Sequence, residues 1–330
     1  MSKRVCVIEG DGIGREVVPA ALSVLAALRL PFDYTLAKAG YGCYQECGDS
    51  IPAATVAACR EADAVLFGAV TTPPDIPGYK SAIITLRKEL DLYANLRPTR
   101  SLGVPGYREG VDLTIVRENT EGLYSGQEED LGDVATAKRV ITRKGSERIA
   151  RAAFELARRE GRPRVTIVHK ANVLRKTCGL FRRTAFAVAK DYPDITADEM
   201  LVDAMAMRLI RDPEKFSVIV TTNLFGDILS DEASMLVGGL GLAAAGNIGE
   251  RGAIFEPVHG SAPDIAGKGV ANPLATILAA ALLCSYLGEQ EAAERLNRAV
   301  ASVIRDGILP PDLGGSAGTQ EVTRAVVAAL

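Results

Sequence analysis

Short hydrophobic runs bounded by polar or turn residues recur along the chain and predict β-strands. These runs are RVCVIEG, ADAVLFGAV, VDLTIVREN, RVTIVHK and FSVIVTTN. Between several of them, hydrophobic residues recur at helical spacing, as in REVVPAALSVLAAL, SERIARAAFELARRE and GLFRRTAFAVAKDY. Because strands that alternate with helices form βαβ units, the pattern predicts an α/β fold with a largely parallel sheet and helices on both of its faces.

Two stretches rich in glycine, proline or small residues interrupt this alternation, and we interpret them as domain boundaries. They are DLYANLRPTRSLGVPGYREG and GGLGLAAAGNIGERG. If the chain crosses between domains at both, residues 1–97 and 247–330 form a larger domain and residues 98–246 a smaller one. Within the smaller domain, Val, Ala and Thr alternate with charged residues and predict a hairpin arm near 124–142.

Composition narrows the class of protein. The chain has 330 residues, of which 48% are hydrophobic, and a formal charge of −3. This charge gives no broad basic field, which argues against nucleic acid and anionic membrane as partners. The six cysteines contain no C-x-x-C pair, so we expect reduced thiols in a cytoplasmic protein rather than a zinc site. We expect neither a signal peptide nor a membrane span, and the longest apolar stretch, PLATILAAALLCSYLG, predicts a buried helix.

The glycine-rich segment GDGIG follows the first strand and has the layout of a dinucleotide-binding fingerprint. That fingerprint, G-x-G-x-x-G, requires glycine where this chain has Arg15. It also requires an acidic residue at the end of the second strand, whereas Asp33 lies at the start of that strand. The segment therefore favours a tight strand-to-helix turn, and the determinants of nucleotide binding should lie elsewhere.

Two sets of charged residues suit carboxylate and metal binding. Arg87, Arg97 and Arg117 border structured runs, and the guanidinium fork binds carboxylates, so they suit a di- or tricarboxylate. Surface or interface arginines are the alternative. Asp227 and Asp231 share one helix face, where they repel each other unless a cation such as Mg²⁺ or Mn²⁺ lies between them. A solvated acidic face is the alternative, and Asp203 is a further candidate ligand.

Two other segments carry candidate functional groups. Lys170 and Asn172 directly follow a strand, and a lysine beside metal and arginine cations is a candidate base; a solvated surface lysine is the alternative. His169 is predicted to be a packing residue. The loop AIFEPVHGSAPDIAGKGVANP is rigid and rich in small residues, so it can approach a flat ring or a phosphate closely, although a purely structural loop is the alternative.

Together and in this order, the motifs resemble the β-decarboxylating dehydrogenases, which act on isocitrate, isopropylmalate and homoisocitrate. The resemblance extends over nearly the whole chain, through IEGDGIG, LDLYANLRP, VRENTEGLY, HKANVL, TTNLFGDILSD and EPVHGSAPDIAGKGVANP. It implies an isocitrate/isopropylmalate dehydrogenase-like two-domain fold, not a Rossmann fold. Residues 1–97 plus 247–330 would form the large cofactor-binding domain, and residues 98–246 the smaller dimerisation and metal domain.

The resemblance also implies the roles of individual residues. NAD would contact the loop residues His259, Gly260, Ser261, Ala262, Asp264 and Asn272, with Asp264 accepting hydrogen bonds from the ribose and repelling the 2′-phosphate of NADP. The substrate would be bound by Arg87, Arg97, Arg117, Asn172, Ser81 and Ile84. Asp227 and Asp231 of one subunit, with Asp203 of its partner, would hold Mg²⁺ or Mn²⁺. Lys170 would be the base and Tyr124 the acid. A homodimer with shared active sites follows, and assembly into a tetramer stays open.

The implied reaction is NAD-dependent oxidative decarboxylation of (2R,3S)-homoisocitrate to 2-oxoadipate and CO₂, in lysine biosynthesis through 2-aminoadipate. Homoisocitrate-specific relatives can place an arginine where this chain has Ile84, which suits an isopropyl group better. Ser81 and Lys80, however, suit a distal carboxylate. Isocitrate as a further substrate and 3-isopropylmalate, the substrate in leucine biosynthesis, therefore stay open. A non-catalytic regulatory subunit is disfavoured because every implied base, arginine and metal ligand is present.

Overall fold

A computed structural model describes residues 2–330. Its strands are β1 (Lys3–Gly10), β2 (Phe32–Leu36), β3 (Ala64–Ala69), β4 (Ala94–Arg100), β5 (Asp112–Glu118), β6 (Glu128–Asp130), β7 (Ala135–Ala137), β8 (Arg164–His169), β9 (Thr196–Leu201), β10 (Val218–Thr221), β11 (Ala244–Ile248) and β12 (Ala253–Pro257). Its α-helices are α1 (Gly14–Leu28), α2 (Tyr41–Cys47), α3 (Ala53–Glu61), α4 (Ala82–Glu89), α5 (Arg143–Arg159), α6 (Thr177–Ala189), α7 (Val202–Arg211), α8 (Asn223–Met235), α9 (Leu274–Tyr286), α10 (Gln290–Arg305) and α11 (Thr319–Ala328).

The chain divides into two compact units, each made of discontinuous segments. Unit 1 comprises Met1–Leu92, Leu102–Glu109 and Val237–Leu330, and unit 2 comprises Tyr93–Ser101 and Gly110–Leu236. The sequence had predicted boundaries at 97/98 and 246/247. The short segment 102–109 has the composition of a linker, yet its Val104 is buried in the hydrophobic core of unit 1.

In unit 1 the strand order is β2-β1-β3-β12-β11, and all neighbours are parallel except β11 and β12. Successive residues of β1 point to opposite faces of the sheet. Val5 and Val7 join one hydrophobic cluster, which includes residues of α1, α9, α10 and α11. Cys6 and Ile8 join a second cluster, which includes residues of α3 and α4. Helices therefore cover both faces of this sheet, as the sequence predicted.

In unit 2 the strand order is β4-β5-β10-β8-β9, and all neighbours are parallel except β4 and β5. The parallel strands β5, β10 and β8 end at Glu118, Thr221 and His169. Because the carboxyl ends of parallel strands lie at one edge of a sheet, the residues that follow these strands are brought to the same edge. This edge carries most of the charged residues that the sequence analysis selected.

The structure also bears on several smaller predictions from the sequence. The antiparallel strands β6 and β7 form an exposed hairpin within the range 124–142. Helix α9 is largely buried, as its apolar sequence predicted. All six cysteines are free. Among residues 2–330, no helix combines the length and the apolar character needed to cross a membrane.

Candidate active site

Arg117 is the most buried charged residue of unit 2, with 1% of its surface exposed. From β5 its guanidinium reaches the first turn of α8, where Nε donates to the carbonyl oxygen of Asn223 at 3.0 Å and Nη2 donates to Asn223 Oδ1 at 2.8 Å. Nη1 donates to Asp227 Oδ1. Helix α8 can approach Arg117 this closely because residue 226 is glycine: a Cβ there would lie 2.6 Å from Arg117 Cγ.

We expect Gly226→Ala to destabilise the protein by about 1–3 kcal/mol, because the new methyl group meets a buried side chain that cannot move away. Gly179→Ala in α6 is the matched control, since its Cβ would meet only the flexible end of Arg183, at 3.2 Å. In a helix with room for the methyl group, this exchange is neutral or stabilises by up to about 1 kcal/mol. Urea unfolding midpoints of the two variants measure the difference, and equal midpoints would contradict the close approach.

Arg97 lies between the two aspartates of α8. Its Nη1 is 3.1 Å from Asp227 Oδ1 and 3.2 Å from Asp231 Oδ1, and it donates to Ser230 Oγ at 2.6 Å. Its Nε donates to Asn95 Oδ1 at 2.8 Å. With 7% of its surface exposed, Arg97 is not a surface residue. The structure therefore supplies the cation that the paired aspartates require, and it excludes a solvated location for Arg97 and Arg117.

The two aspartates of α8 are partly exposed to solvent. The side chains of Asp227 and Asp231 are 29% and 51% exposed. Burial raises the pKa of the Asp231 carboxyl, and the charge of Asp227 raises it further, whereas Arg97 and Arg117 act in the opposite direction. Mg²⁺ prefers carboxylate oxygens and uses one or two of them together with water and substrate. The donor set therefore fits a hard divalent ion.

Tyr124 lies in a short 3₁₀-helix, Leu123–Ser125, beside these charges. Its hydroxyl donates to Asp227 Oδ2, and the Arg117 guanidinium carbon lies 5.1 Å from its ring centroid. Burial raises the pKa of the Tyr124 hydroxyl, and the hydrogen bond to Asp227 raises it further. Tyr124 is therefore held as a neutral proton donor.

Lys170 and Asp203 form a second, separate group in unit 2. Lys170 Nζ donates to Asp203 Oδ1 at 2.6 Å, and this hydrogen bond lowers the pKa of Asp203. Within the described part of the chain, no three His, Cys, Asp or Glu residues are placed to hold a metal ion together. One chain therefore does not bring Asp203 together with Asp227 and Asp231. Asn172 is exposed on the turn after Lys170.

Arg87 belongs to unit 1, where α4 directs it to Glu256 at the end of β12. Its Nη2 donates to Glu256 Oε1 at 2.7 Å, and Asn247 Nδ2 donates to the same oxygen at 2.7 Å. In the structure of residues 2–330, the buried Nε atom of Arg87 has no hydrogen-bond partner. On the same helix, Ile84 is half-buried, and Ser81 occupies the N-cap position. Arg87 thus keeps donor capacity for an anion.

The GDGIG segment of unit 1 is a tight turn, as predicted, and it packs against the loop at 259–272. Gly12 has a φ of 53°, and a Cβ there would lie 2.0 Å from the carbonyl oxygen of Ser261. The backbone N–H of Ile13 donates to that same oxygen at 2.9 Å. The Asp11 carboxylate accepts hydrogen bonds from three backbone N–H groups, those of Tyr41, Gly42 and Thr71. The segment is therefore held rigidly beside the predicted cofactor loop.

The predicted cofactor residues differ in how many hydrogen bonds they already form within the chain. Asn272 uses both ends of its amide, donating to Asp312 Oδ2 at 3.0 Å and accepting from Leu274 N at 2.9 Å. Burial lowers the pKa of His259, whose buried Nε2 has no partner among residues 2–330. Ala262 has a positive φ of 38°, which is rare for a residue with a side chain.

The remaining predicted cofactor residues of the loop are Gly260, Ser261 and Asp264. Asp264 and Gly260 are exposed, and Ser261 Oγ lies 2.6 Å from Thr71 Oγ1. The loop carries two exposed charged side chains, Asp264 and Lys268, and the Asp264 carboxylate is the one predicted to contact a ribose.

Sequence reasoning missed the residues that hold the arginines, directly or, for Asn247, through Glu256. They are Asn95, Asn223, Ser230, Asn247 and Glu256. Each lies at or beside the end of a strand or on the face of α8 that carries the aspartates. Most are neutral side chains that have many structural uses, so their identity alone carries no signal. Glu256 was the exception, because a carboxylate in the apolar run AIFEP requires a buried partner.

Comparison with known proteins agrees with the resemblance. The model of the isocitrate/isopropylmalate dehydrogenase family matches residues 4–326. The isocitrate/homoisocitrate dehydrogenase of Thermus thermophilus is 57% identical over 100% of this chain and 99% of its own length. The 3-isopropylmalate dehydrogenase of Archaeoglobus fulgidus is 52% identical over 99% of each chain. The crystal structure of isocitrate dehydrogenase from Methylococcus capsulatus is similar with a TM-score of 0.96 and 46% identity, covering 100% of this chain and 99% of that chain.

These three relatives carry different substrate names, so they establish the type of reaction and leave the substrate open. The predicted fold is confirmed, because the structural neighbour shares it over the whole chain. The enzyme class is confirmed as well: the relatives are dehydrogenases, and the family acts on a CH–OH group with loss of CO₂. The chain belongs to the isocitrate/isopropylmalate dehydrogenase family, the β-decarboxylating dehydrogenases.

Proposed function

We propose that the protein catalyses the NAD- and metal-dependent oxidative decarboxylation of homoisocitrate to 2-oxoadipate and CO₂, in lysine biosynthesis through 2-aminoadipate. The observation that carries this proposal is the pair of buried arginines, Arg97 and Arg117, bound to the aspartates of α8. Buried cations beside partly exposed carboxylates suit a substrate with several carboxylates and a divalent ion. The free cysteines support a cytoplasmic location, where thiols stay reduced.

Different residues of the chain bind the substrate and transfer protons in the proposed reaction. Arg87, Arg97 and Arg117 bind the malate carboxylates, and the hydrogen bonds of Arg97 and Arg117 fix their guanidinium groups before substrate arrives. Lys170 accepts the proton of the substrate hydroxyl, directly or through a water, and Asn172 orients the substrate. Tyr124 donates a proton to carbon after CO₂ has left.

Two groups from outside the chain complete the chemistry. Asp227 and Asp231, with Asp203 of a second subunit, would hold the divalent ion, and His259, Gly260, Ser261, Ala262, Asp264 and Asn272 would bind NAD. When bound, NAD supplies a hydride acceptor, and Mg²⁺ or Mn²⁺ stabilises the negative charge that develops on the substrate oxygen.

A homodimer with shared active sites is part of the proposal. Lys170 and Asp203 form one group in the chain, and Asp227 and Asp231 belong to another, so a site that uses all four residues requires two copies. Large hydrophobic side chains near both groups are exposed in the single chain, namely Val173, Met207, Ile228 and Met235. Exposed apolar residues on α7 and α8 support pairing of these helices with a second copy. A dimer or a tetramer is compatible with this arrangement.

We expect NAD to be preferred over NADP by at least about tenfold in kcat/KM, or about 1.4 kcal/mol. The exposed carboxylate of Asp264 would accept hydrogen bonds from the ribose hydroxyls of NAD and repel the additional phosphate of NADP. Steady-state kinetics with both cofactors measure the ratio, and Asp264→Ala should reduce it. Equal use of the two cofactors by the unmodified protein would remove Asp264 from this role.

The choice among substrates rests on the helix that carries Ile84. A distal carboxylate, present in homoisocitrate and isocitrate, costs several kcal/mol to bury beside isoleucine unless a polar group meets it. Ser81 and the exposed Lys80 are the available partners. We therefore expect the double variant Lys80→Ala/Ser81→Ala to lose far more kcat/KM for homoisocitrate than for isopropylmalate. Equal losses of kcat/KM for the two substrates would show that Lys80 and Ser81 do not determine which substrate is preferred.

The alternative substrate is 3-isopropylmalate, and one observation favours it: Ile84 is half-buried and apolar, which suits an isopropyl group. A few methylenes in an apolar pocket discriminate only about 10- to 200-fold. The kcat/KM values for homoisocitrate, isocitrate and isopropylmalate, compared on the purified protein, test the proposal. A preference of tenfold or more for isopropylmalate would show that the proposed substrate is wrong, while the proposed type of reaction would still hold.

A further inference from the structure

His169 ends β8 and directly precedes Lys170. The sequence predicted a packing residue, and the ring is buried, with 3% of its surface exposed. Burial is only part of its role, because both ring nitrogens have partners. The backbone N–H of Ala171 donates to Nδ1 at 3.1 Å, and Nε2 lies 3.0 Å from Glu199 Oε2. Because Nδ1 accepts, the ring hydrogen belongs to Nε2 and is donated to Glu199.

Glu199 is itself held by Arg182 of α6. The guanidinium donates through Nη2 to Oε1 at 2.7 Å and through Nε to Oε2, which is a bidentate pair. The hydrogen bond from Arg182 lowers the pKa of Glu199 to about 2, and the contact with His169 contributes in the same direction. Glu199 is therefore a charged acceptor at neutral pH, and it fixes the orientation of the imidazole from the neighbouring strand β9.

The turn that carries Lys170 is fixed on both sides of that residue. Before it, β8 pairs with β9 and β10. After it, the N–H of Ala171 is held by the His169 ring, and the carbonyl oxygen of Lys170 accepts from Val173 N at 3.1 Å and from Leu174 N at 2.8 Å. Ala171 is two residues after His169, so the ring occupies the place that the side chain of Asn or Asp takes in an Asx-turn.

We propose that His169 is a positioning residue for Lys170, supported by Glu199 and Arg182, and that it fixes the backbone from which the lysine side chain extends. The inference rests on the proposed function, in which Lys170 accepts the proton of the substrate hydroxyl. A misplacement of about 1 Å in a reacting group can cost about 10²-fold in rate. Loss of the Ala171 hydrogen bond should therefore lower kcat and leave the binding of substrate and NAD nearly unchanged.

The test compares two replacements of His169. His169→Phe fills the buried space but has no ring nitrogens, so kcat should fall by about 10- to 100-fold, with KM for substrate and NAD within about twofold of the unmodified protein. His169→Asn returns an acceptor to the Asx-turn position, so kcat should recover to within about threefold. Asp194→Ala is the control, because Asp194 forms a bidentate pair with Arg158 in the same unit, at 2.6 and 3.2 Å, away from Lys170.

Two measurements report the hydrogen bonds directly. Hydrogen exchange of the Ala171 amide should accelerate in His169→Phe and stay slow in His169→Asn. The chain contains only two histidines, so ¹⁵N-histidine labelling gives a spectrum of His169 and His259 alone, and a His259→Asn variant assigns it. In the unmodified protein the His169 ring should carry its hydrogen on Nε2.

The outcomes separate this inference from the proposed function. If Lys170→Met is inactive while His169→Phe keeps its kcat, the positioning role is wrong and the proposed base stands. If Lys170→Met keeps its activity, the proposed base itself is wrong. A hydrogen on Nδ1 in the unmodified protein, or a His169→Phe effect that His169→Asn does not reverse, would also overturn the positioning role. The position of the ring hydrogen is measured on the unmodified protein, so it tests the positioning role even if His169→Phe does not fold.

Discussion

Replacement of Lys170 by methionine is expected to lower kcat by about 10²- to 10⁴-fold, the contribution that a positioned acid or base makes. Methionine has a similar length and no ionisable group, so the variant keeps the packing of the side chain and loses the proposed proton acceptor. KM for the substrate should change little, because the arginines, and not Lys170, are proposed to bind its carboxylates. Steady-state kinetics with saturating NAD and Mg²⁺ measure both constants.

The matched control for Lys170→Met is Lys215→Met. Lys215 forms a similar lysine–aspartate pair in unit 2, with Nζ donating to Asp212 Oδ2 at 2.8 Å, and it lies in none of the proposed sites. Its loss should leave kcat unchanged. A Lys170→Met variant as active as Lys215→Met would mean that another group accepts the hydroxyl proton.

The second large effect is expected from Asp227→Asn. The substitution keeps the shape of the side chain and replaces one of its two acceptor oxygens, of which Oδ1 accepts from Arg117 and Oδ2 from Tyr124. It also removes the charge that a bound divalent ion would require. Charge stabilisation by a metal ion is worth several kcal/mol, so kcat should fall on the order of 10³-fold. Because Asp227 also faces Arg97 and Arg117, the variant should be less stable, yet still folded and in the oligomeric state of the unmodified protein.

Binding of Mn²⁺, followed by electron paramagnetic resonance, gives a measurement of Asp227→Asn that does not depend on turnover. The affinity should fall in Asp227→Asn and be unchanged in Asp191→Asn, an exposed aspartate that pairs with Arg151 at 3.2 Å. Undiminished activity and unchanged Mn²⁺ affinity in Asp227→Asn would show that the carboxylates of α8 are structural.

The sequence predicted the elements with the strongest hydrophobic patterns and missed those without one. Strands β1, β3, β5, β8 and β10 correspond to its five apolar runs. Strand β9, TADEML, has no buried residue and lies at the edge of its sheet, so it lacks the pattern of a buried strand. Strand β4, ANLRPTR, contains a proline and two arginines and was interpreted as a crossover. Its buried arginine needs partners that only the tertiary structure supplies.

In the candidate site too, the sequence predicted local geometry but not contacts between residues that are distant in the chain. Helical spacing predicted that Asp227 and Asp231 share one face, since that geometry is local. The cation between them, Arg97, is 134 positions away from Asp231 in the sequence, and no local pattern links the two. His169, which ends an apolar strand, was interpreted as a packing residue. Its partner Glu199 lies on the strand that the sequence did not reveal.

The proposed reaction, oxidation and decarboxylation of homoisocitrate with NAD and a divalent ion, has two products that can be measured separately. The most direct test incubates the purified protein with homoisocitrate, NAD and Mg²⁺ and measures NADH by absorbance and CO₂ by an independent assay. We expect NADH and CO₂ to form in equal amounts, EDTA to stop the formation of both, and excess Mg²⁺ to restore it. NADH without CO₂, or turnover that EDTA does not affect, would contradict the proposed reaction.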